Sequence, residues 1–138
     1  MRIVTILVLA LLTPTGLALA DDNSRIVQNI IKQQIEAFRS DDGETAYSFA
    51  APGIKSAFPD TQRFMEMVKN SYAPIYRPGN LTFGRNASED DGRLMMQELL
   101  ITDRNGDSWQ AVYILARQDD GDYRITGVRL APIRDSAI

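Results

Sequence analysis

The chain contains no cysteine and no histidine. Each absence removes a class of chemistry. Without cysteine there is no thiol nucleophile, no zinc–thiolate site, no covalent haem, no disulfide and no lipid-anchored lipoprotein. Without histidine the usual general base near neutral pH is gone, together with the commonest metal ligand and every Ser-His-Asp arrangement. Any catalysis would fall to carboxylates, Tyr, Lys or Arg. There is no run of basic residues either. Lys and Arg number 15 against 18 Asp and Glu, for a net charge of −3. Mild acidity points away from nucleic acid and from anionic membrane surfaces.

Long apolar runs are also missing. The stretch IVTILVLALL, Ile3 to Leu12, falls short of the roughly 18 apolar residues that a bilayer span needs. It follows Met1-Arg2 and precedes Pro14 and Gly16. It leads to Ala18-Leu19-Ala20, a small-x-small site. This is the pattern of a secretory signal. The expectation is a cleaved segment over 1–20 and a single domain over 21–138, exported to the periplasm or the medium. After cleavage no membrane association is expected. Loss of Arg2 makes the mature chain one unit more acidic. A domain of this length buries about 65% of the surface its unfolded chain exposes, so its core must hold it together without staples.

What is present divides into two halves. Ile26, Val27, Ile30, Ile31, Ile35 and Phe38 recur at spacings of three and four, which predicts an amphipathic helix capped at Asn23 or Ser24, with Gly43 beyond its end. Asp42 can cap a second, short helix over GETAYSFAAP, stopped by Pro52. GIKSAFP reads as a turn or brief helical piece. Asp60 caps a third helix, TQRFMEMVKNSY, with Phe64, Met65, Val68 and Tyr72 on one face. PIYRPG reads as a short extended piece. Four strands follow: NLTFGRNASE, RLMMQELLIT, DSWQAVYILARQ and DYRITGVRLAPI. Between the last three lie DRNGD and DDGD, with Gly where a hairpin needs positive φ. Three helices packed on one face of an antiparallel four-stranded sheet is the expected α+β arrangement.

The strand parity predicts more. Trp109, Ala111, Tyr113 and Leu115 share one face. Val112, Ile114 and Ala116 share the other, with only Gln110 polar. A sheet wet on one side alternates more cleanly. Helices can cover only one of these faces. A symmetric homodimer through the second face is therefore expected.

DRNGDS has acidic or amide side chains at alternate positions, as a calcium loop does. Counted from Asp103, however, position six is Ser108 and position twelve is Ile114, where an EF-hand needs Gly and Glu. Asn105-Gly106 is instead a strong hairpin signal. Asp119 to Asp122 reads as a solvated turn in the same way. No metal and no cofactor is expected.

The segments QQIEAFRSDDGETAYSFAAPGIKSAF, FMEMVKNSYAPIYRP and GDSWQAVYILARQDDGDYRITGVRL together resemble the domain of unknown function 4864 family. These are small bacterial, often exported proteins, grouped with the nuclear transport factor 2-like (cystatin-like) α+β cone fold. The resemblance implies a curved sheet and an apolar pocket between sheet and helices. It carries no assigned activity and no catalytic residues. Some cones of this fold are isomerases or dehydratases, and many only bind.

Two further features bear on a site. Gln97-Glu98 interrupts the apolar LMMQELLI, and the two side chains must take opposite faces. Were Glu98 on the cavity side, burial would raise its pKa and it could serve as a general base beside Tyr47, Tyr72 or Tyr113. Otherwise it lies on the far face, paired with Arg117 or Arg129 across strands, and this second placement is the expectation. Tyr47, Tyr72, Trp109 and Tyr113 carry both a ring and a polar handle, so with Gln97 they are the candidate pocket-lining residues. The leading expectation is a non-catalytic domain that binds a small apolar ligand or a protein partner. An isomerase or dehydratase built on Glu98 and a tyrosine is the second reading, and a purely structural homodimer the third.

Overall fold

Helical and strand periodicities occupy separate halves of the sequence, and the chain keeps them apart in space. The computed structural model describes residues 15–134, with side chains from Asp22 onward. The apolar segment Ile3 to Leu12 lies outside the described residues. Among the described residues there are five α-helices: α1 (Thr15–Arg39), α2 (Gly43–Ser48), α3 (Pro52–Ala57), α4 (Thr61–Ser71) and α5 (Ala73–Tyr76). Four strands follow, β1 (Pro78–Glu89), β2 (Leu94–Asp103), β3 (Ser108–Arg117) and β4 (Tyr123–Pro132). They form one antiparallel sheet in the order β1-β2-β3-β4. The architecture is α+β, with five helices where three were expected. None of these helices is long and apolar enough to cross a membrane.

The two additional helices are short and proline-led. Pro52 opens α3 rather than merely ending α2, and Pro74 sits in the first turn of α5. A proline is tolerated there because the first N–H groups of a helix have no intrahelical partner. PIYRPG therefore coils where an extended piece was expected. The caps of α2 and α4 are those the sequence predicts. Asp42 accepts from Thr45 N at 3.2 Å and Asp60 from Arg63 N at 2.8 Å.

The first helix differs at its start. It begins at Thr15, so neither Asn23 nor Ser24 caps it. Alanine and leucine, strong helix formers, occupy the preceding turn. It ends at Arg39, ahead of Gly43, and Asp41 just beyond it takes the left-handed conformation with φ of 53°. Asp42 N donates to Ala37 O at 2.8 Å and Asp41 N to Phe38 O at 3.2 Å, the pairing that satisfies the last carbonyls of a helix. Tyr76 donates to the Asp41 carboxylate, and Arg77 bonds its other oxygen at 3.0 Å. Those contacts hold an aspartate where glycine is usual. They also tie the end of α1 to α5.

The core lies between the helices and one face of the sheet. Val27, Ile31, Ile35 and Phe38 of α1 are buried with Phe64, Met65 and Val68 of α4. From the sheet come Met95, Leu99 and Ile101 of β2, Ala111, Tyr113 and Leu115 of β3, and Tyr123 and Ile125 of β4. The alternate residues face away. Leu100 is 42% exposed, and Met96, Val112 and Ile114 are half-buried. The helices cover one face of the sheet only.

Register shifts shape the sheet edges, one of them at the very start of β1 between Pro78 and Asn80. β1 shifts register between Phe83 and Asn86, and β4 carries an extra residue, Thr126, opposite Ile114 and Leu115. Next to that bulge the chain between α2 and α3 joins the sheet. Ile125 N donates to Phe49 O and Ala51 N to Ile125 O, both at 2.8 Å, as a single parallel bridge at Ala50.

Adjacent leucines test this layering. Leu99→Ala is expected to cost about 2–5 kcal/mol in urea unfolding, as buried leucine truncations do. Leu100→Ala at the same dilute concentration is expected to stay within about 0.5 kcal/mol of the parent. Equal losses would mean that the two faces are not as assigned.

Candidate functional site

Residues of α1, α3, α4 and α5 face β3 and β4 across a space that they do not fill. A cleft of about 360 Å³ remains. Gln34 and Phe38 of α1 line it on one side. Ile54 and Phe58 close another, and Phe64, Met67 and Val68 of α4 a third. Tyr72 and Ile75 stand at the α4–α5 junction, and Tyr113, Ile125 and Val128 belong to the sheet. Among the described residues no charged side chain lines the cleft.

Of the four polar side chains of this wall, Ser71 is exposed to solvent, and the other three differ in what they bond. Gln34 is buried in the apolar stripe of α1, and its Nε2 donates to Ala46 O at 3.1 Å. Tyr72 donates to Val128 O at 3.2 Å. Tyr113 is 0% exposed, and its hydroxyl has no hydrogen-bond partner among the described residues. Burial, and secondarily the neighbouring Tyr72, pushes the Tyr113 pKa far above the usual tyrosine range. Its hydroxyl therefore stays protonated and remains a donor.

The cleft brings together two of the five expected pocket residues, Tyr72 and Tyr113. The other three have structural tasks elsewhere. Tyr47 packs against Phe64 with ring centroids 5.3 Å apart, and its hydroxyl donates to Phe58 O at 2.6 Å. Trp109 lies at the β2–β3 hairpin, where its Nε1 donates to Asp103 Oδ2 at 2.9 Å. Gln97 is fully buried, yet it faces the bulge of β1. Its Nε2 donates to Glu98 O at 2.8 Å and lies 3.3 Å from Gly84 O and 3.4 Å from Arg85 O. Its Oε1 accepts from Gln28 of α1 at 3.1 Å. A register shift leaves carbonyls without ladder partners, and Gln97 supplies them from inside the core.

Glu98 takes the face away from the helices. Its partner is neither Arg117 nor Arg129 but Arg85, at 3.3 Å. The β1 bulge sets this pairing, because it brings Gly84 and Arg85 opposite Glu98. A Cβ on Gly84 would lie 2.8 Å from Glu98 Oε1, so the carboxylate lies across the glycine. Arg117 is held elsewhere, bonded to Tyr123 Oη at 2.8 Å.

The residue that parity and composition overlooked is Gln34. Its signal was there. It falls four residues after Ile30 and three after Ile31, within the apolar stripe of α1, where an amide is out of place.

The DRNGD loop is a hairpin turn with Gly106 at φ of 86°. Asp103 Oδ1 accepts from the N–H groups of Asn105 and Asp107, both at 2.9 Å. Among the described residues no three acidic side chains come together as a metal site would require.

Comparison with known proteins places the chain. Residues 20–138 match the family described as Domain of unknown function (DUF4864). The chain belongs to the DUF4864 family. No curated protein matches it. A solved structure, a 2.5 Å structure from Catenulispora acidiphila, is similar to this DUF4864 chain in fold. The two are 14% identical with a TM-score of 0.56, and the match covers 83% of this chain and 94% of the other.

The Asp103–Trp109 contact in this DUF4864 domain can be read by pH. The Trp109 hydrogen bond, followed by those of the turn amides, holds the Asp103 carboxyl below the usual aspartate range against the opposing effect of burial. The stabilisation is complete above the ordinary aspartate pKa of about 4 and is lost as pH falls through the lowered folded value. Trp109 is the sole tryptophan. Its emission is expected to hold steady down to about pH 4 and to shift only below, while far-ultraviolet dichroism stays native. Asp103→Ala should abolish that step. A midpoint at or above the ordinary value would contradict the assignment.

Proposed function

We propose that this DUF4864 domain is an exported, non-catalytic module of nuclear transport factor 2-like cone form, which holds a small apolar ligand in the cleft beside Tyr113. The observation that carries this reading is the lining itself. A space of about 360 Å³ is walled by Phe, Ile, Met and Val, with a few polar atoms and, among the described residues, no charge, the composition of small-molecule sites. The absence of a carboxylate from that wall weighs against the isomerase or dehydratase reading. Glu98, its general base, is on the opposite face of the sheet from Tyr72 and Tyr113 and is engaged by Arg85.

A specific observation also favours self-association. Leu100 is 42% exposed beside the half-buried Met96, Val112 and Ile114. This apolar face suits a second copy of the chain, packed sheet to sheet. The cleft lies on the other side and would stay open in such a dimer, so the two readings are compatible.

The ligand reading is tested with phenylnaphthylamine, a neutral dye that fluoresces on entering apolar sites. The mature chain, residues 21–138, is expected to enhance its emission saturably. Met67→Trp, which fills the cleft, should weaken binding by at least about tenfold, equivalent to ~1.4 kcal/mol. Saturable binding unaffected by Met67→Trp would place the dye elsewhere and defeat the proposal. For the dimer, Val112→Arg is expected to convert a concentration-dependent dimer into a monomer in sedimentation velocity. A parent chain that sediments as a monomer at all concentrations would remove it.

A further inference from the structure

We infer that the ligand of the cleft is a neutral carbonyl compound, whose oxygen accepts a hydrogen bond from Tyr113 Oη while its hydrocarbon body lies against the apolar helical walls. This rests on the reading of the cleft as a ligand site and narrows it to a class.

The polar atoms of the wall decide the class. Gln34 Nε2 is committed to Ala46 O and the Tyr72 hydroxyl to Val128 O, while Ser71 is exposed to solvent. Tyr113 Oη is the buried side-chain polar atom left without a partner among the described residues. Buried hydroxyls in native structures almost always have one, and leaving one unpaired costs more than a made bond returns. The β3 register fixes this hydroxyl. Tyr113 pairs with Gln97 on one side and Val128 on the other, and its ring is enclosed on the helix side of the sheet. Swinging out to water would require moving the core.

The charge of the ligand follows from the same wall. Among the described residues no lysine or arginine lines the cleft. An anion would lose its hydration there with nothing to replace it. A cation would find no carboxylate. A hydrocarbon would fit but would leave the tyrosine donor unsatisfied. A ketone, aldehyde or ester oxygen on an apolar frame meets both conditions. Burial keeps the phenol protonated, so the donor persists throughout the physiological pH range.

The test displaces bound phenylnaphthylamine with three near-isosteric competitors: acetylnaphthalene, ethylnaphthalene and naphthoate. In the mature parent chain the ketone should compete at a concentration about threefold to tenfold lower than the ethyl compound, the range one net hydrogen bond supplies. Naphthoate should compete least well. In Tyr113→Phe the ketone should lose that advantage while the ethyl compound is unchanged. The thermal midpoint of the ligand-free variant should be equal to or above that of the parent, because an unpaired hydroxyl has been removed. A tyrosine serving structure alone would instead lower the midpoint and leave the ketone-to-ethyl ratio at parity in both proteins. That result overturns the inference, as would naphthoate competing as well as the ketone. Failure of the dye itself to bind would count against the cleft as a ligand site. Equal competition by ketone and ethyl compound would count against the carbonyl assignment alone.

Discussion

Everything in this molecule depends on covering one face of a four-stranded sheet with the apolar stripe of α1. Val27, Ile31, Ile35 and Phe38 are buried against a sheet face that presents Met95, Leu99, Ala111, Tyr113 and Leu115. With neither disulfide nor metal ligands of the usual kind, that hydrophobic contact has no covalent support. The shorter helices complete the cover. α4 adds Phe64, Met65 and Val68, and the Asp41, Tyr76 and Arg77 cluster fastens the end of α1 to α5. The cleft is what remains where the short helices do not close fully over β3 and β4.

Gln97, Gln34 and Tyr113 carry polar groups into that core, and the amides settle differently from the phenol. Gln97 is spent on the carbonyls of a bulge, and Gln34 on the end of a neighbouring helix. Both are satisfied within the protein, so both serve the fold. Tyr113 is not satisfied within it. In a close-packed interior such an atom is costly, and it is found on the wall of the largely apolar cleft. The contrast between these amides and this phenol separates polar groups spent on the fold from one left unpaired at the cleft.

Much of this was legible in the residues. Alternation placed Trp109, Ala111, Tyr113 and Leu115 on one face and Val112 and Ile114 on the other, and the structure keeps that division. Asp42 and Asp60 announced their caps, and Asn105-Gly106 its turn. The misses share a cause, which is register and local context. The partner of Glu98 depends on where β1 slips, and nothing in NLTFGRNASE says that Gly84 and Arg85 fall in a bulge. Gln97 could not be read as a bulge ligand for the same reason, since its partners are carbonyls that only the slip exposes. The two prolines around PIY suggested an extended piece, yet Pro74 stands at the one place in a helix where it does no harm. Gln34 was readable, because its position in the α1 stripe was already unusual.

The stitch at Ala50 has a further effect. A strand at the rim of a sheet normally offers a ladder of free amides and carbonyls to any passing chain. Here the N–H and C=O of Ile125 are taken by Phe49 and Ala51, Thr126 buckles the next step, and Pro132 lacks a donor at the far end. On the opposite rim Pro78 opens the strand and the Gly84–Arg85 kink breaks it midway. Neither rim is a good template for strand addition. A domain without disulfides is thereby guarded against fibre-like polymerisation. What the sheet leaves uncovered is instead its broad back, where Leu100 is exposed beside the half-buried Met96, Val112 and Ile114.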